Sequence, residues 1–226
     1  MSYGNAKTTG RWIGAAILAT FVIGITSNFK LQTDLFAGDG LIVNAAAHPL
    51  KIGGIAVLGF VANLASVAAA AALSVHVWRA YPVHAIVYGL LVAAGLAIAA
   101  VEYSTLLAYR AVSEQFVAAG APADTAYEVA KKLLSGLRNG VHFVHVTLGG
   151  AGVLAFFALL YRARLVPRAL ALAGVAAALT QMFAVGRPLF GLDVIYPLLA
   201  PLALAYLVTA LWLLVRGLPE MPARVD

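Results

Sequence analysis

Six long runs of hydrophobic residues, each with almost no charge, follow one another along the chain. The first begins after Lys7 and Arg11 and ends near Asn28. The other five cover approximately the ranges 52–78, 82–110, 139–161, 168–187 and 192–215. Each run reaches the roughly 20 residues that a helix needs to cross a hydrocarbon core about 30 Å thick. The pattern predicts an all-α polytopic membrane protein, a bundle of six transmembrane helices.

Two connections are longer than hairpins, one over 30–51 and one over 110–138. The second contains apolar residues at steps of three and four, the spacing of one face of a helix. These residues are Ala126, Val129, Ala130, Leu133, Leu134 and Leu137. The spacing predicts one amphipathic helix that lies at the membrane surface. Because no linker divides the chain, we expect a single domain over residues 1–226.

Composition supports the membrane assignment and excludes several classes of function. Of 226 residues, 63% are hydrophobic and 11% are charged, and the mean hydropathy is +0.94. A water-soluble domain has about a quarter of its residues charged, so the expected surroundings are a lipid bilayer. The absence of cysteine excludes disulfides, cysteine-bound iron–sulfur clusters and thiolate nucleophiles. The net charge is +6, but the chain has no water-exposed basic surface that could bind nucleic acid.

The positive charges also indicate an orientation. Arg162, Arg164 and Arg168 lie together beside a tight turn, whereas the basic residues of the opposite side belong mostly to the longer connections. Short loops rich in arginine remain in the cytoplasm. We therefore expect both chain ends to be cytoplasmic.

Glu102 is the clearest polar residue inside a predicted span. An ionisable side chain at mid-membrane costs about 2.5 kcal/mol or more, so it needs a partner or a role. Glu102 lies about 12 Å below the outer boundary at Arg110, at 1.5 Å per residue. Tyr88, Gly95, Glu102 and Tyr109 recur every seven residues. This small and polar stripe is expected to face the interior of the bundle.

The fourth and fifth spans carry polar residues at a similar depth. His142 and His145 follow Arg138 and lie about 6 and 10 Å below the same boundary. Gln181 lies about 9 Å from Arg187 in the fifth span. We therefore predict a ligand-binding site in the outer leaflet, formed by Glu102, Arg138, His142, His145 and Gln181.

The chemistry of that site has several interpretations. Glu102, His142 and His145, with His48 as a fourth donor from the preceding loop, suit a transition metal such as zinc, iron or copper, or a haem. The spacing of the two histidines is not a diagnostic zinc motif. A second interpretation is that Glu102 pairs with a histidine or Arg138 only to hold helices together. A third is the passage of protons or a substrate through protonatable groups.

Four short runs are distributed along nearly the whole chain in a characteristic order. They are Gly38-Asp39-Gly40, Ala45-Ala46-Ala47-His48, Leu165-Val166-Pro167-Arg168-Ala169-Leu170 and Leu211-Trp212-Leu213-Leu214-Val215-Arg216-Gly217. In these runs the chain resembles a bacterial integral-membrane family known as domain of unknown function 4386. The resemblance implies six helices, a location in the bacterial cytoplasmic membrane and no established activity. His48 matches a histidine that often precedes the second helix of that family, whereas Lys51 stands where arginine is expected.

Three kinds of function are compatible with the sequence. The first is a membrane protein that binds a metal, haem or small ligand at the outer-leaflet cluster, without an identified reaction or catalytic residue. The second is a structural or accessory subunit that packs against a partner membrane protein, or a homo-oligomer, through its alanine and glycine faces. The third is a small proton-linked transporter, although no inverted repeat is evident.

Overall fold

The computed structural model describes residues 5–38, 40–122 and 124–221, and these residues form helices and turns without a β-strand. Asp39, the middle residue of the first run shared with the family, lies outside the described residues. A π-helical turn, Ser27–Leu31, joins the first two helices, and two 3-10 turns precede the last. Within the described ranges the α-helices are α1 (Ala6–Thr26), α2 (Thr33–Phe36), α3 (Leu41–Ala47), α4 (Pro49–Val77), α5 (Pro82–Ala118), α6 (Thr125–Arg162), α7 (Arg168–Gly186) and α8 (Ala200–Arg216).

Six segments are long and apolar enough to cross a membrane, which confirms the predicted all-α polytopic bundle. Their apolar side chains remain largely exposed on the outside of the bundle, as lipid contact requires. The segments are Ala6–Phe36, Pro49–Val77, Pro82–Ala118, Thr125–Arg162, Arg168–Phe190 and Tyr196–Arg216.

The six spans form a closed ring. α1 packs against α4, and each following span packs against the next, until α8 returns to α1. The start of α1 meets the end of α8 where the backbone of Lys7 lies against Gly217. We call this side of the bundle the terminal end, and the opposite side, which carries α2 and α3, the distal end.

Glycines allow close packing in the half of the ring near the terminal end. A Cβ at Gly10 would lie 2.2 Å from the backbone nitrogen of Leu218, and one at Gly14 would lie 2.7 Å from the carbonyl oxygen of Ala210. Aromatic rings of Tyr88, Phe156, Phe157 and Tyr206 fill the centre of this half, with centroids 5.2 to 5.9 Å apart. The bundle interior is therefore solid beyond these rings, toward the terminal end.

The distal end is covered by α2 and α3. α3 packs mainly on α5, and α2 packs on α3 and on the π-helical turn. Leu35, Leu41, Ile52 and Leu106 belong to this buried cluster. The Asn44 side-chain amide donates to the carbonyl oxygens of residues 34, 35 and 37, and so fixes the turn between the two short helices. The predicted long loop over 30–51 is thus mostly helical.

The stretch 125–137 is helical, as its spacing predicts, but this helix is not separate from the fourth span. It is the first part of α6, which continues without a break into the fourth span. α5 extends past Arg110 to Ala118, and the two helices support each other as an antiparallel pair. The rings of Phe116 and Tyr127 lie 5.1 Å apart, and the Tyr109 hydroxyl lies 3.1 Å from Ser135 Oγ. These contacts involve the side of 125–137 that carries Tyr127 and Ser135. In the predicted apolar face, Val129, Leu133 and Leu137 remain 59%, 69% and 50% exposed.

We expect Gly10→Ala to lower the free energy of unfolding by about 1–3 kcal/mol, because the added methyl group overlaps the backbone where α1 meets α8. Thermal unfolding in detergent measures this change. Gly53→Ala is the matched control, since a Cβ there meets nothing within 4 Å. Equal stability of the two variants would contradict the close α1–α8 packing.

Candidate functional site

The Glu102 carboxylate connects α5 to two histidines of α6. Its Oε1 lies 2.8 Å from His142 Nδ1, and its Oε2 lies 2.7 Å from His145 Nδ1. The two histidines are three residues apart, so they lie on successive turns of one face of α6. The side chain of Glu102 is 14% exposed, and those of His142 and His145 are 38% and 19% exposed. One carboxylate therefore satisfies two imidazoles inside the bundle.

This geometry determines which nitrogen of each ring is available. An ionised carboxylate can only accept hydrogen bonds, so each imidazole donates its Nδ1–H to Glu102. A neutral ring that carries its proton on Nδ1 has a lone pair on Nε2. Within the described residues, neither Nε2 has a hydrogen-bond partner. The cluster therefore presents two basic nitrogens to its surroundings.

Both histidines line a cavity of about 190 Å³ in the distal half of the ring, which we call the distal cavity. Its walls come from α1, the π-helical turn, α4, α5 and α6. The polar residues in these walls are Thr20, Ser27, Asn28, Gln32, Glu102, Tyr103, Arg138, His142 and His145.

Arg138 also lines the distal cavity and connects α6 to the first span. Its Nη2 donates to Gln32 Oε1 over 3.1 Å, and its guanidinium lies 4.7 Å above the ring of Phe36. Gln32 Nε2 in turn donates to Asn28 Oδ1 over 2.9 Å. The positive charge of Arg138 is placed near Glu102, so the cavity holds a carboxylate and a guanidinium of opposite charge.

The structure does not bring the other two predicted site residues into the distal cavity. Gln181 lies against α6, where its Oε1 would be 2.6 Å from a Cβ at Gly150. His48 ends α3 and lies near Asp34, whose carboxylate pairs with Lys51. Pro49 begins α4 immediately after His48, which keeps this histidine at the distal surface. Among the described residues, no group of three histidine, aspartate or glutamate side chains is arranged to hold a metal ion.

Sequence reasoning did not identify Asn28 and Gln32 as site residues, because it ended the first helix near Asn28. The π-helical turn continues the helix, with the backbone N–H of Gln32 donating to the carbonyl oxygen of Ser27 over 3.0 Å. π-helical turns are rare and often occur at functional sites. The four-residue spacing of Asn28 and Gln32 was the available signal, since it places two amides on one helical face.

We expect Glu102→Gln to change the tautomer of one of the two histidines. A carboxamide offers one accepting oxygen and one donating nitrogen, so one ring must accept at Nδ1 and carry its proton on Nε2. The ¹⁵N chemical shifts of histidine-labelled protein distinguish the two tautomers.

Glu114→Gln is the matched control for this measurement. Glu114 lies on the same helix, pairs with Arg110 over 2.9 Å and is half exposed. Its substitution should leave every histidine unchanged. If both histidines kept their proton on Nδ1 in Glu102→Gln, the result would contradict hydrogen bonding of both rings to Glu102.

Comparison with known proteins identifies a family for the whole bundle. A family model described as Domain of unknown function (DUF4386) matches residues 12–217, from α1 to the glycine that ends α8. No curated protein and no solved structure matches the chain. The chain belongs to the DUF4386 family.

Proposed function

We propose that this protein binds a small hydrogen-bond donor in the distal cavity, and that Glu102, His142 and His145 recognise it. We place the bundle in a bacterial cytoplasmic membrane with both chain ends in the cytoplasm. Support for this orientation comes from Arg162, the last residue of α6, and Arg164, in the short turn between α6 and α7 at the terminal end. The distal cavity then lies in the outer leaflet.

The observation that carries the proposal is the pair of unpartnered Nε2 atoms beside a cavity. A hydroxyl group that entered the cavity could donate to either nitrogen. The carboxylate behind each ring strengthens this interaction, because it stabilises the imidazolium that forms if the proton transfers. The cluster is thus suited to hold a donor and to accept its proton. If its sole role were to join α5 to α6, two bare nitrogens at a cavity surface would not be needed.

Phenol is a suitable probe of this site, because it is a small donor with an apolar body. We expect a concentration of about ten times its Kd to stabilise the wild-type protein by about 1.4 kcal/mol, seen as a higher temperature of thermal unfolding. Glu102→Gln should clearly weaken this stabilisation, since it removes one of the two bare nitrogens. Glu114→Gln should keep it.

Toluene is the matched control ligand, because it has a similar shape and no hydroxyl. It should stabilise the protein much less than phenol. Equal stabilisation by toluene, or phenol stabilisation that is undiminished in Glu102→Gln, would argue for non-specific partitioning and against the proposed site.

A transition-metal ion is a second candidate ligand, favoured by the same hydrogen bonds. Histidines that bind a metal usually donate the other ring nitrogen to a carboxylate, which orients the ring. Here Glu102 would orient both rings, and the two Nε2 atoms would be the ligands. His142 and His145 share one face of one helix, so they could not bind opposite faces of a haem. The candidate is therefore a single ion with coordination positions left for water or a ligand.

Elemental mass spectrometry of the purified protein tests the metal candidate. If zinc or copper binds here, the wild-type protein should contain about one ion per chain, and His145→Ala should contain almost none. His84→Ala should retain the metal, because His84 lies at the start of α5 near Tyr81, at the terminal end. Equal metal content in all three proteins would exclude the cluster as the binding site.

A further inference from the structure

A second cavity, of about 220 Å³, lies next to the distal cavity on the side of the terminal end. We call it the inner cavity. Its walls come from α1, α4, α5, α6 and α8, so it lies inside the ring. Thr20 and His145 line both cavities. The imidazole of His145 therefore lies at the boundary between the distal cavity and the inner cavity.

The inner cavity is mostly apolar. Its walls include the aliphatic side chains of Ile17, Leu91, Val92 and Val153. The aromatic rings of the half near the terminal end lie at its end, where Tyr88 and Phe156 contact each other at 5.8 Å. Beyond these rings the bundle is packed with buried leucines toward the terminal end. The inner cavity is thus a mostly apolar compartment behind a polar cluster, which suits the chain of an amphiphile better than the path of an ion.

A groove on the outside of the bundle lies beside both cavities, between α1 and Tyr206 of α8. It shares Thr20, Gly24 and Asn28 with the distal cavity. It also shares Ile17 and Tyr206 with the inner cavity. We call it the side groove.

The rim of the side groove faces the surroundings of the spans. Ile25 and Phe29 in this rim are 46% and 75% exposed. A Cβ at Gly24 would meet nothing within 4 Å, so the groove is least obstructed where it borders the distal cavity. Because this part of the bundle surface is apolar, lipid chains would reach the groove directly.

A second groove, on the distal surface, shares Gln32 and Arg138 with the distal cavity. These two side chains are hydrogen bonded to each other over 3.1 Å, and the guanidinium of Arg138 is stacked on Phe36. A ligand that came from water by this route would have to pass this polar contact, whereas the side groove has an apolar rim.

We propose that the ligand is a single-chain membrane amphiphile with a hydroxyl head group. It would enter from the lipid through the side groove, place its hydroxyl on the Nε2 atoms of His142 and His145, and place its chain in the inner cavity. This inference rests on the proposed function, which supplies the head-group site. A phosphate head group fits less well, because Glu102 is negative and the guanidinium of Arg138 is held by Gln32.

A photoreactive long-chain alcohol tests this inference. The probe is hexadecanol with a diazirine in its chain, added to the full-length protein in phosphatidylcholine nanodiscs, and labelled peptides are identified by mass spectrometry. The matched probe is the same diazirine hydrocarbon without the hydroxyl. We expect the alcohol to label the peptides around Tyr88 and Tyr206 about fivefold more than the hydrocarbon does. One hydrogen bond of the hydroxyl group raises the affinity by about this factor. Labelling of the lipid-facing surface should be equal for the two probes.

Two glycine variants distinguish the inner cavity from the general surface. Gly95 lines the inner cavity, and a Cβ at this position would meet nothing within 4 Å. A larger side chain at position 95 would therefore occupy the cavity. Gly95→Leu should therefore reduce interior labelling by the alcohol to the level of the hydrocarbon. Gly53→Leu is the control, because Gly53 also has open space at Cβ but lines none of these cavities. Gly24→Leu should slow interior labelling, since it narrows the side groove.

The outcomes separate this inference from the proposed function. If phenol stabilises the protein in a Glu102-dependent way but the alcohol labels the interior no more than the hydrocarbon does, the amphiphile is excluded and the proposed site stands. If phenol gives no Glu102-dependent stabilisation, the head-group site and the amphiphile are both excluded. Interior labelling that persists in Gly95→Leu, or a rate that is unchanged in Gly24→Leu, would also overturn the inference.

Discussion

A charged carboxylate inside an apolar bundle must have hydrogen-bond donors, and much of the distal half depends on how this requirement is met for Glu102. Lipid has no donors to supply at that depth, and the neighbouring helix provides two. His142 and His145 approach Glu102 from one face of α6 and fix the register of α5 against α6. That register continues beyond the spans, where the paired helices extend to Ala118 and from Thr125. The cost of a buried charge thus explains both the cluster and the continuity of α6.

The two halves of the ring solve different packing problems. Near the terminal end, glycines bring backbones together, and aromatic rings and leucines fill the space beyond the inner cavity. In the distal half, the polar side chains of Asn28, Gln32 and Arg138 bond to one another across the ring. Hydrogen bonds hold these helices at a distance that apolar packing alone would not maintain. Space for a ligand is a consequence of this polar bridging.

The architecture and part of the candidate site follow from sequence patterns. The six spans are predictable because length and apolarity alone decide which helices suit a membrane. The common depth of Glu102, His142 and His145 follows from the helical rise. The π-helical turn and the positions of His48 and Gln181 do not follow, because they depend on contacts between segments far apart in the chain. The uninterrupted helix through Gly136 and Gly140 was also unpredictable, since packing on α5 outweighs the weak helix preference of glycine.

The closed ring has a seam where α1 meets α8, the first and the last of the six spans along the chain. During synthesis α1 enters the membrane long before α8, so the small-residue face around Gly10 and Gly14 stays uncovered until the final helix arrives. Until then the interior of the unfinished ring is in contact with lipid. Assembly of this protein therefore ends with the closure of one joint, and a lipid-like molecule could be enclosed as that joint forms.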